Sequence, residues 1–374
     1  MSAAPLIIVG LSGGVDSAVA AWRLLEAGYR VEGLHMTNWE ADDAWCTRVD
    51  DEAAAAQAAE HLGIVLHRAN FTREYRERVF ADFLDEYRAG RTPNPDVLCN
   101  RYVKFGAFLD WARRLGADAI ATGHYARVEE IAGKPGLLTA RDANKDQTYF
   151  LHAVHGEALA RTLFPLGDLV KPEVRAIAHK IGLPNHARPD STGICFIGER
   201  PFRDFLAEFL PESPGPIEDT AGRVLGEHRG LHFHTLGQRG GLGIGGRRDA
   251  REAPWYVVDK DFARNTLVVA QDADHPRGLA IALEADRLHW IAGTPPPAPA
   301  EVRVRVRHRQ KPVAATLDFD GENMRLSFRE PLRAVAPGQY AVVYAGDVCL
   351  GGGRIVTRRN SAQEPLKALA GAVQ

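Results

Sequence analysis

Ser12-Gly13-Gly14-Val15-Asp16-Ser17 is the densest run of phosphate-binding chemistry in this chain of 374 residues. Gly13 and Gly14 admit backbone conformations closed to other residues and leave room for an anion to reach peptide N–H groups. Ser12 and Ser17 add hydroxyl donors. The apolar run Leu6–Gly10 leads in, and an Ala-rich segment closed by Gly28 follows. That order reads as buried strand, tight loop and helix, with the positive end of the helix aimed at the loop. An ordinary turn between a strand and a helix would also use two glycines. No Gly-Lys-Ser/Thr is present, so the loop is not of Walker A type.

The second chemistry is that of thiols. Cys99 closes the segment Pro93-Asn94-Pro95-Asp96-Val97-Leu98-Cys99, whose prolines exclude regular helix, and a helix is expected from Asn100 to Leu115. A thiol at a helix N-terminus ionises more easily, and Asp96 stands three residues before it as a candidate acid or base. A buried cysteine beside an aspartate N-cap fits the same residues. Cys195 lies between Gly193 and Gly198 in Asp190–Arg200, an accessible loop as suited to sulfur transfer as to packing. Cys46 and Cys349 complete the set of four, with no CxxC and no zinc-ligand spacing. Cys349 alternates with apolar residues like a core strand position and reads as structural. Glu301–Lys311, EVRVRVRHRQK, alternates Val with Arg, so one face of a strand is apolar and the other basic. That basic face is either a solvated barrel exterior or a phosphate-binding surface.

These groups need a scaffold, and the spacing predicts one. Strands at Leu6–Gly10, Tyr29–Met36, Ile64–Phe71 and Asp118–His124 alternate with helices at Ala18–Ala27, Asp50–Leu62, Arg73–Ala89 and Asn100–Leu115. The fold class is α/β, a doubly wound parallel sheet. Met36 would end the second strand, facing the crevice where such sheets bind nucleotides. Beyond Pro211–Pro216 the texture changes to Pro, Gly and short strands. From Glu301 to about Val356 the alternation predicts a small β-barrel, with the proline run Thr294–Pro299 near a boundary. The domains are therefore expected at 1–210, 211–280 and 281–360, with a tail at 361–374. His232–Gly246 is Gly-rich but opens no helix, which rejects a dinucleotide fingerprint. Trp39, Trp45, His232 and His234 are left to packing. Hydrophobic residues make up 45% and charged residues 25%. No apolar run is long enough to cross a bilayer and no basic leader precedes the first strand, so a cytoplasmic protein without membrane contact is expected. A formal charge of −2 confines any nucleic-acid contact to local patches.

The loop resembles the SGGxDS pyrophosphate loop of ATP pyrophosphatases, which are similar to adenine nucleotide alpha hydrolases. Together GLSGGVDS, PNPDVLCN and DSTGICFIGER resemble the tRNA-specific 2-thiouridylase family. ATGHYAR at Ala121–Arg127, KDQTYFL at Lys145–Leu151, HTLGQRGGLGIGG at His234–Gly246, WYVVDKD at Trp255–Asp261 and PGQYAVVYAGDVCLGGG at Pro337–Gly353 extend the likeness. It implies ATP phosphates on Gly10, Leu11, Ser12, Gly13, Gly14, Val15, Asp16 and Ser17, with Mg2+ as their counter-ion, and adenosine against Met36 and Gly123. It implies no protein-held metal. It places the target base on Asn94, Pro95 and Asp96, makes Cys99 the nucleophile and gives the persulfide to Cys195. Contacts with tRNA would come from His124, Lys145, Asp146, Gln147, His308, Arg309 and Gln339. The implied partners are tRNAs for Lys, Glu and Gln with a wobble uridine, and a persulfide donor, either a cysteine desulfurase or a sulfur-relay protein. The competing readings are an amide- or amidine-forming ligase, which needs neither cysteine, and a tRNA-binding module with a degenerate nucleotide site, against which the intact loop argues.

Overall fold

The computed structural model describes residues 4–40, 48–189, 202–245 and 253–363. The N-terminal sheet is parallel and built from β1 (Leu6–Gly10), β2 (Arg30–Thr37), β3 (Leu66–Asn70), β4 (Ala119–Ala121) and β7 (Thr162–Leu163), in the order β3-β2-β1-β4-β7. β1 is buried along its whole length, as its unbroken apolar run requires of a strand covered on both faces. Helix α1 (Val15–Glu26) packs Val15, Ala18, Val19, Ala20, Ala21 and Leu24 inward. Small residues on that face let the helix lie close to the sheet. Helix α2 (Arg48–Leu62) follows, and continuous helices cover 72–88 and 95–114, each with a π-helical stretch.

Helix 95–114 starts four residues earlier than Cys99, and the expectation of irregular chain up to Asn100 is corrected here. Pro95 occupies the first helical position, where its missing N–H costs nothing, and Asn94 is the N-cap. Proline excludes helix interior, not helix start.

β8 (Gly215–Asp219), β9 (Val224–His228), β10 (Tyr256–Asp261) and β11 (Thr266–Ala270) form a central sheet of order β10-β11-β8-β9. β12 (Leu279–Trp290), β13 (Ala300–Arg305), β14 (Val313–Asp320), β15 (Asn323–Arg333), β16 (Tyr340–Ala345) and β17 (Val348–Asn360) run in the order β12-β15-β14-β13-β16-β17, and pairing of β12 with β17 closes them into a six-stranded barrel. The first barrel strand, Leu279–Trp290, thus precedes Glu301, where the alternation is first legible, and begins close to residue 281, the expected start of the barrel domain. The proline run lies inside it, in the loop between β12 and β13, where no ladder bond is lost. The hairpin β5 (Arg127–Ile131) and β6 (Lys134–Leu138) belongs to the N-terminal part of the chain, yet β6 pairs with β17. One hydrogen-bonded ladder thus joins the first domain to the barrel.

The basic face expected on Glu301–Lys311 is not uniform. Val302, Val304 and Val306 fill the barrel core as the alternation demands, but Arg305 is also buried. Its guanidinium pairs with the carboxylate of Asp146, which is 2% exposed. Asp146 also accepts from the Thr148 hydroxyl at 2.8 Å and the Ala140 N–H at 3.0 Å. Arg307 donates to the Leu236 carbonyl at 2.6 Å in the central domain, while Arg303 and Arg309 are exposed. Two of the four arginines are thus spent on cohesion between domains. Removing one partner of a buried pair strands the other charge. Arg305→Met is expected to cost roughly 3–5 kcal/mol in urea unfolding, whereas a loss below about 1 kcal/mol would place the pair with surface bridges.

Candidate active site

The loop between β1 and α1 carries Gly13 at φ +82°, and a Cβ there would stand 2.4 Å from the Asp51 carbonyl oxygen, so only glycine fits. The Gly13 carbonyl accepts from Asn185 Nδ2 at 2.9 Å and from Arg188 Nη1 at 3.2 Å. Arg188 is itself held by Asp51. The first bond of the α1 ladder runs from the Ala18 N–H to the Gly14 carbonyl at 3.4 Å. The N–H groups of Val15, Asp16 and Ser17 precede it and form the positive end of the helix. Ser17 Oγ donates to the Gly14 carbonyl at 3.0 Å and lies 3.3 Å from Ser12 Oγ. Asp16 does not face the loop alone: its Oδ1 accepts from Lys171 Nζ at 2.7 Å and from the Tyr125 hydroxyl at 3.0 Å. This donor set, with a helix terminus and two flanking cations, fits a polyphosphate. Among the described residues, no group of three or more His, Cys, Asp or Glu could hold a metal ion.

Leu11, Met36 and Gly123 stand around the loop. Leu11 is fixed through its N–H on the Leu34 carbonyl at 2.8 Å, and its own carbonyl meets His35 Nδ1 at 2.9 Å. Met36, next to last in β2, lies over Gly10. Gly123 abuts the start of α1, where a Cβ would come within 2.7 Å of the Ser17 nitrogen. Beside it His124 is buried, with Nδ1 at 2.7 Å from the Thr122 hydroxyl. Burial, then the nearby Lys104 charge, holds its imidazole well below the usual value and therefore neutral.

Asn94 caps helix 95–114 without spending its side chain on a cap hydrogen bond. Asp96 is largely withdrawn from water, which raises its carboxyl above the ordinary range, with Lys104 opposing. Cys99 is a thiol 1% exposed, in the second turn of the helix and in one apolar cluster with Phe105, Phe108 and Met36. It is too far inside the helix for the first-turn dipole effect that its expected position implied. Cys195 and Cys46 lie outside the described residues, as does Trp45. Trp39 packs edge-on against Phe80 with ring centroids 4.8 Å apart. Cys349 is buried in the barrel seam, and burial raises its thiol far above the usual value, which fits the structural reading.

The residues expected to meet tRNA divide into two groups. Lys145 is half-buried and Arg309 exposed. His308 stacks near Phe150 at 4.3 Å, and burial followed by Arg309 lowers its imidazole. Asp146 is not at the surface, which corrects its place in the expected set: its oxygens are used by Arg305, Thr148 and Ala140. Gln147 turns inward as well, its Oε1 accepting from the Tyr125 N–H at 2.9 Å. The Gln339 amide donates to the Thr92 and Pro93 carbonyls.

Residues 6–199 match the family model described as tRNA methyl transferase HUP domain, residues 203–271 that of the tRNA methyl transferase PRC-barrel domain, and residues 281–355 that of the aminomethyltransferase beta-barrel domain. The chain is 57% identical over 356 residues to the tRNA-specific 2-thiouridylase MnmA of Alkalilimnicola ehrlichii, covering 94% of this chain and 97% of that protein. The chain belongs to the tRNA-specific 2-thiouridylase family. Two further 2-thiouridylases, from Pseudomonas aeruginosa and Stutzerimonas stutzeri, are each 56% identical, covering 94% and 93% of this chain respectively and 94% of each relative. The likeness to 2-thiouridylases spans all three domains, whereas the family-model descriptions speak of methyl transfer.

Lys171, Tyr125, Asn185, Arg188 and Lys104 escaped the sequence reading. Lys171 opens a recognisable helix (Lys171–Lys180), but its partner Asp16 is 155 positions away. No local pattern signals that pairing. Asp96 gives a test of the site's electrostatics. Its folded value lies above 3.8, so the folded chain holds the proton more tightly, and stability is lost as pH rises through the folded value. Asp96→Asn should therefore raise the unfolding temperature near neutral pH, with the gain shrinking toward pH 3.8. A gain independent of pH would contradict the burial of this carboxyl.

Proposed function

We propose that this chain is an ATP-dependent tRNA-uridine 2-sulfurtransferase acting on C2 of the wobble uridine, U34. The observation that carries the reading is membership of the 2-thiouridylase family along nearly the whole chain. The geometry supports it: a polyphosphate cradle at the head of α1, and a buried thiol whose core cluster includes Met36 of the cradle's wall. The domains act as 1–210 for catalysis, 211–280 as a central spacer and 281–360 as the barrel.

A pyrimidine C2 carbonyl is a poor electrophile with a poor leaving oxygen. Attack of that oxygen on the α-phosphorus of ATP releases pyrophosphate and leaves AMP as the leaving group. Gly10 to Ser17 bind the phosphates, assisted by Lys171, and Mg2+ accompanies the nucleotide rather than a protein ligand set. Met36 and Gly123 line the adenosine. Asn94, Pro95 and Asp96 hold the base. Cys195 accepts a sulfur atom as a persulfide from a cysteine desulfurase or a sulfur-relay protein. In one order, the terminal sulfur attacks C2, AMP departs, and the Cys99 thiolate then attacks the Cys195 sulfur. In the other, Cys99 cleaves the persulfide first and the released hydrosulfide attacks C2. Both orders end with 2-thiouridine and a Cys99–Cys195 disulfide, which two electrons from an external thiol reduce. Lys145, His308 and Arg309 contribute to the tRNA surface, the acceptors being tRNAs for Lys, Glu and Gln. Among the described residues no helix is long and apolar enough to cross a membrane, and the reaction belongs in the cytoplasm.

Two experiments test this. Asp16→Ala removes the carboxylate that holds Lys171 and Tyr125, so tRNA-dependent pyrophosphate release should fall roughly a hundredfold, the cost of misplacing a site group by about 1 Å. Release at the wild-type rate would remove ATP from this loop. After incubation with a persulfide donor, the Cys195 peptide should gain one sulfur atom by mass spectrometry. Cys195→Ser should lose that adduct and all 2-thiouridine, while Cys99→Ser keeps the adduct and stalls. Full thiolation by the Cys195→Ser protein would sink the mechanism.

A further inference from the structure

We infer that Gln339 is a positioning residue of the barrel that sets the segment carrying Asn94 and Asp96. Its Nε2 donates to the Thr92 carbonyl at 2.8 Å and to the Pro93 carbonyl at 3.2 Å. Both hydrogens of the amide are thereby used within the chain. Gln339 is itself fixed at the backbone: its carbonyl accepts from the Ile355 N–H at 2.7 Å, and its N–H reaches the Ala336 carbonyl at 3.1 Å. Thr92 returns a bond to the same turn, its N–H on the Pro337 carbonyl at 2.8 Å. Between these contacts stands Gly338 at φ +92°, where a Cβ would meet the Thr92 nitrogen at 2.8 Å and Arg91 Cβ at 2.9 Å. The turn 337–339 and the residues 91–93 are therefore pressed backbone to backbone.

What this brace controls follows from chain connectivity. Pro93 and Pro95 flank Asn94, so neither neighbour supplies an N–H that could tie the segment down. The carbonyls of Thr92 and Pro93 lie just ahead of the Asn94 N-cap, and Gln339 takes both, while the Thr92 hydroxyl meets that of Thr235 at 2.7 Å. Asn94, with its side chain unspent on capping, is then presented in one orientation to an incoming base. The same segment stands against Glu86, Tyr340 and Arg354. Fixing a binding group this way raises turnover more than affinity.

The inference rests on the assignment of Asn94 and Asp96 to the target base. Gln339→Ala removes both donors; Gln339→Glu keeps the shape and sets a carboxylate against two carbonyl oxygens. Hydrogen exchange on the protein without tRNA should show the Asn94, Asp96 and Val97 amides opening about tenfold faster in both variants. With tRNA, Gln339→Ala should lower kcat for thiolation about ten- to a hundredfold, with the Kd for tRNA within about twofold of the wild type. Weaker tRNA binding with unchanged kcat at saturation would make Gln339 a direct contact and overturn the inference. So would a fall in kcat without faster exchange. Faster exchange with unchanged kcat would overturn its functional half and count against the target-base assignment itself, whereas failure of the wild-type protein to thiolate would strike only the proposed function.

Discussion

Arg354 holds two carboxylates at once, Glu86 from helix 72–88 and Asp286 from β12. Glu86 is 2% exposed and also takes both nitrogens of a bidentate bond from Arg91, at 2.7 Å each. Charges withdrawn from water are tolerated only when their partners are in place. Here the partners come from different domains, so the interface has one low-energy register. Arg305 and Asp146 repeat the device between the same two domains, as do Arg287 and Asp82. The placement of the turn 337–339 against residues 91–93 depends on this locked register. So does the start of the helix that carries Asp96 and Cys99.

Around Asp96 and His124 the electrostatics run the other way. His124 is neutral, the Asp96 carboxyl is pushed toward its neutral form, and Lys104 faces both. Fixed charge is concentrated instead at the head of α1, where Lys171 and Arg188 are held by Asp16 and Asp51. That division suits a site with two substrates. A polyanion needs cations and peptide N–H groups, whereas a nucleobase is better met by unspent amides and groups that exchange protons at modest cost.

The thiols show how far local pattern reaches. Cys349 alternates with apolar neighbours and is buried as that pattern requires, though against the N-terminal domain rather than inside the barrel. Cys99 sits in a pattern equally good for packing and for catalysis, and its burial alone does not separate the two. The π-helical stretch Cys99–Ala107 begins at this thiol, an irregularity of the kind that re-aims side chains at functional sites.

The sequence by itself determined whatever depends on neighbours a few positions apart. The apolar run of β1, the glycines of the phosphate loop and the small-residue face of α1 are local, and so is the alternation that builds the barrel core. Each is legible because period and steric tolerance are properties of short segments. Tertiary structure decided what each charged or amide side chain is for. Within one run, Arg305 and Arg309 have the same chemistry, yet one is sealed against Asp146 while the other faces water. Asp16 and Lys171, Gln339 and Thr92, Glu86 and Arg354 meet across 155, 247 and 268 positions respectively. The length of those loops leaves no trace in any local pattern. The fold of the first domain brings Asp16 and Lys171 together, and the closed barrel docked on that domain brings the other two pairs within hydrogen-bond reach.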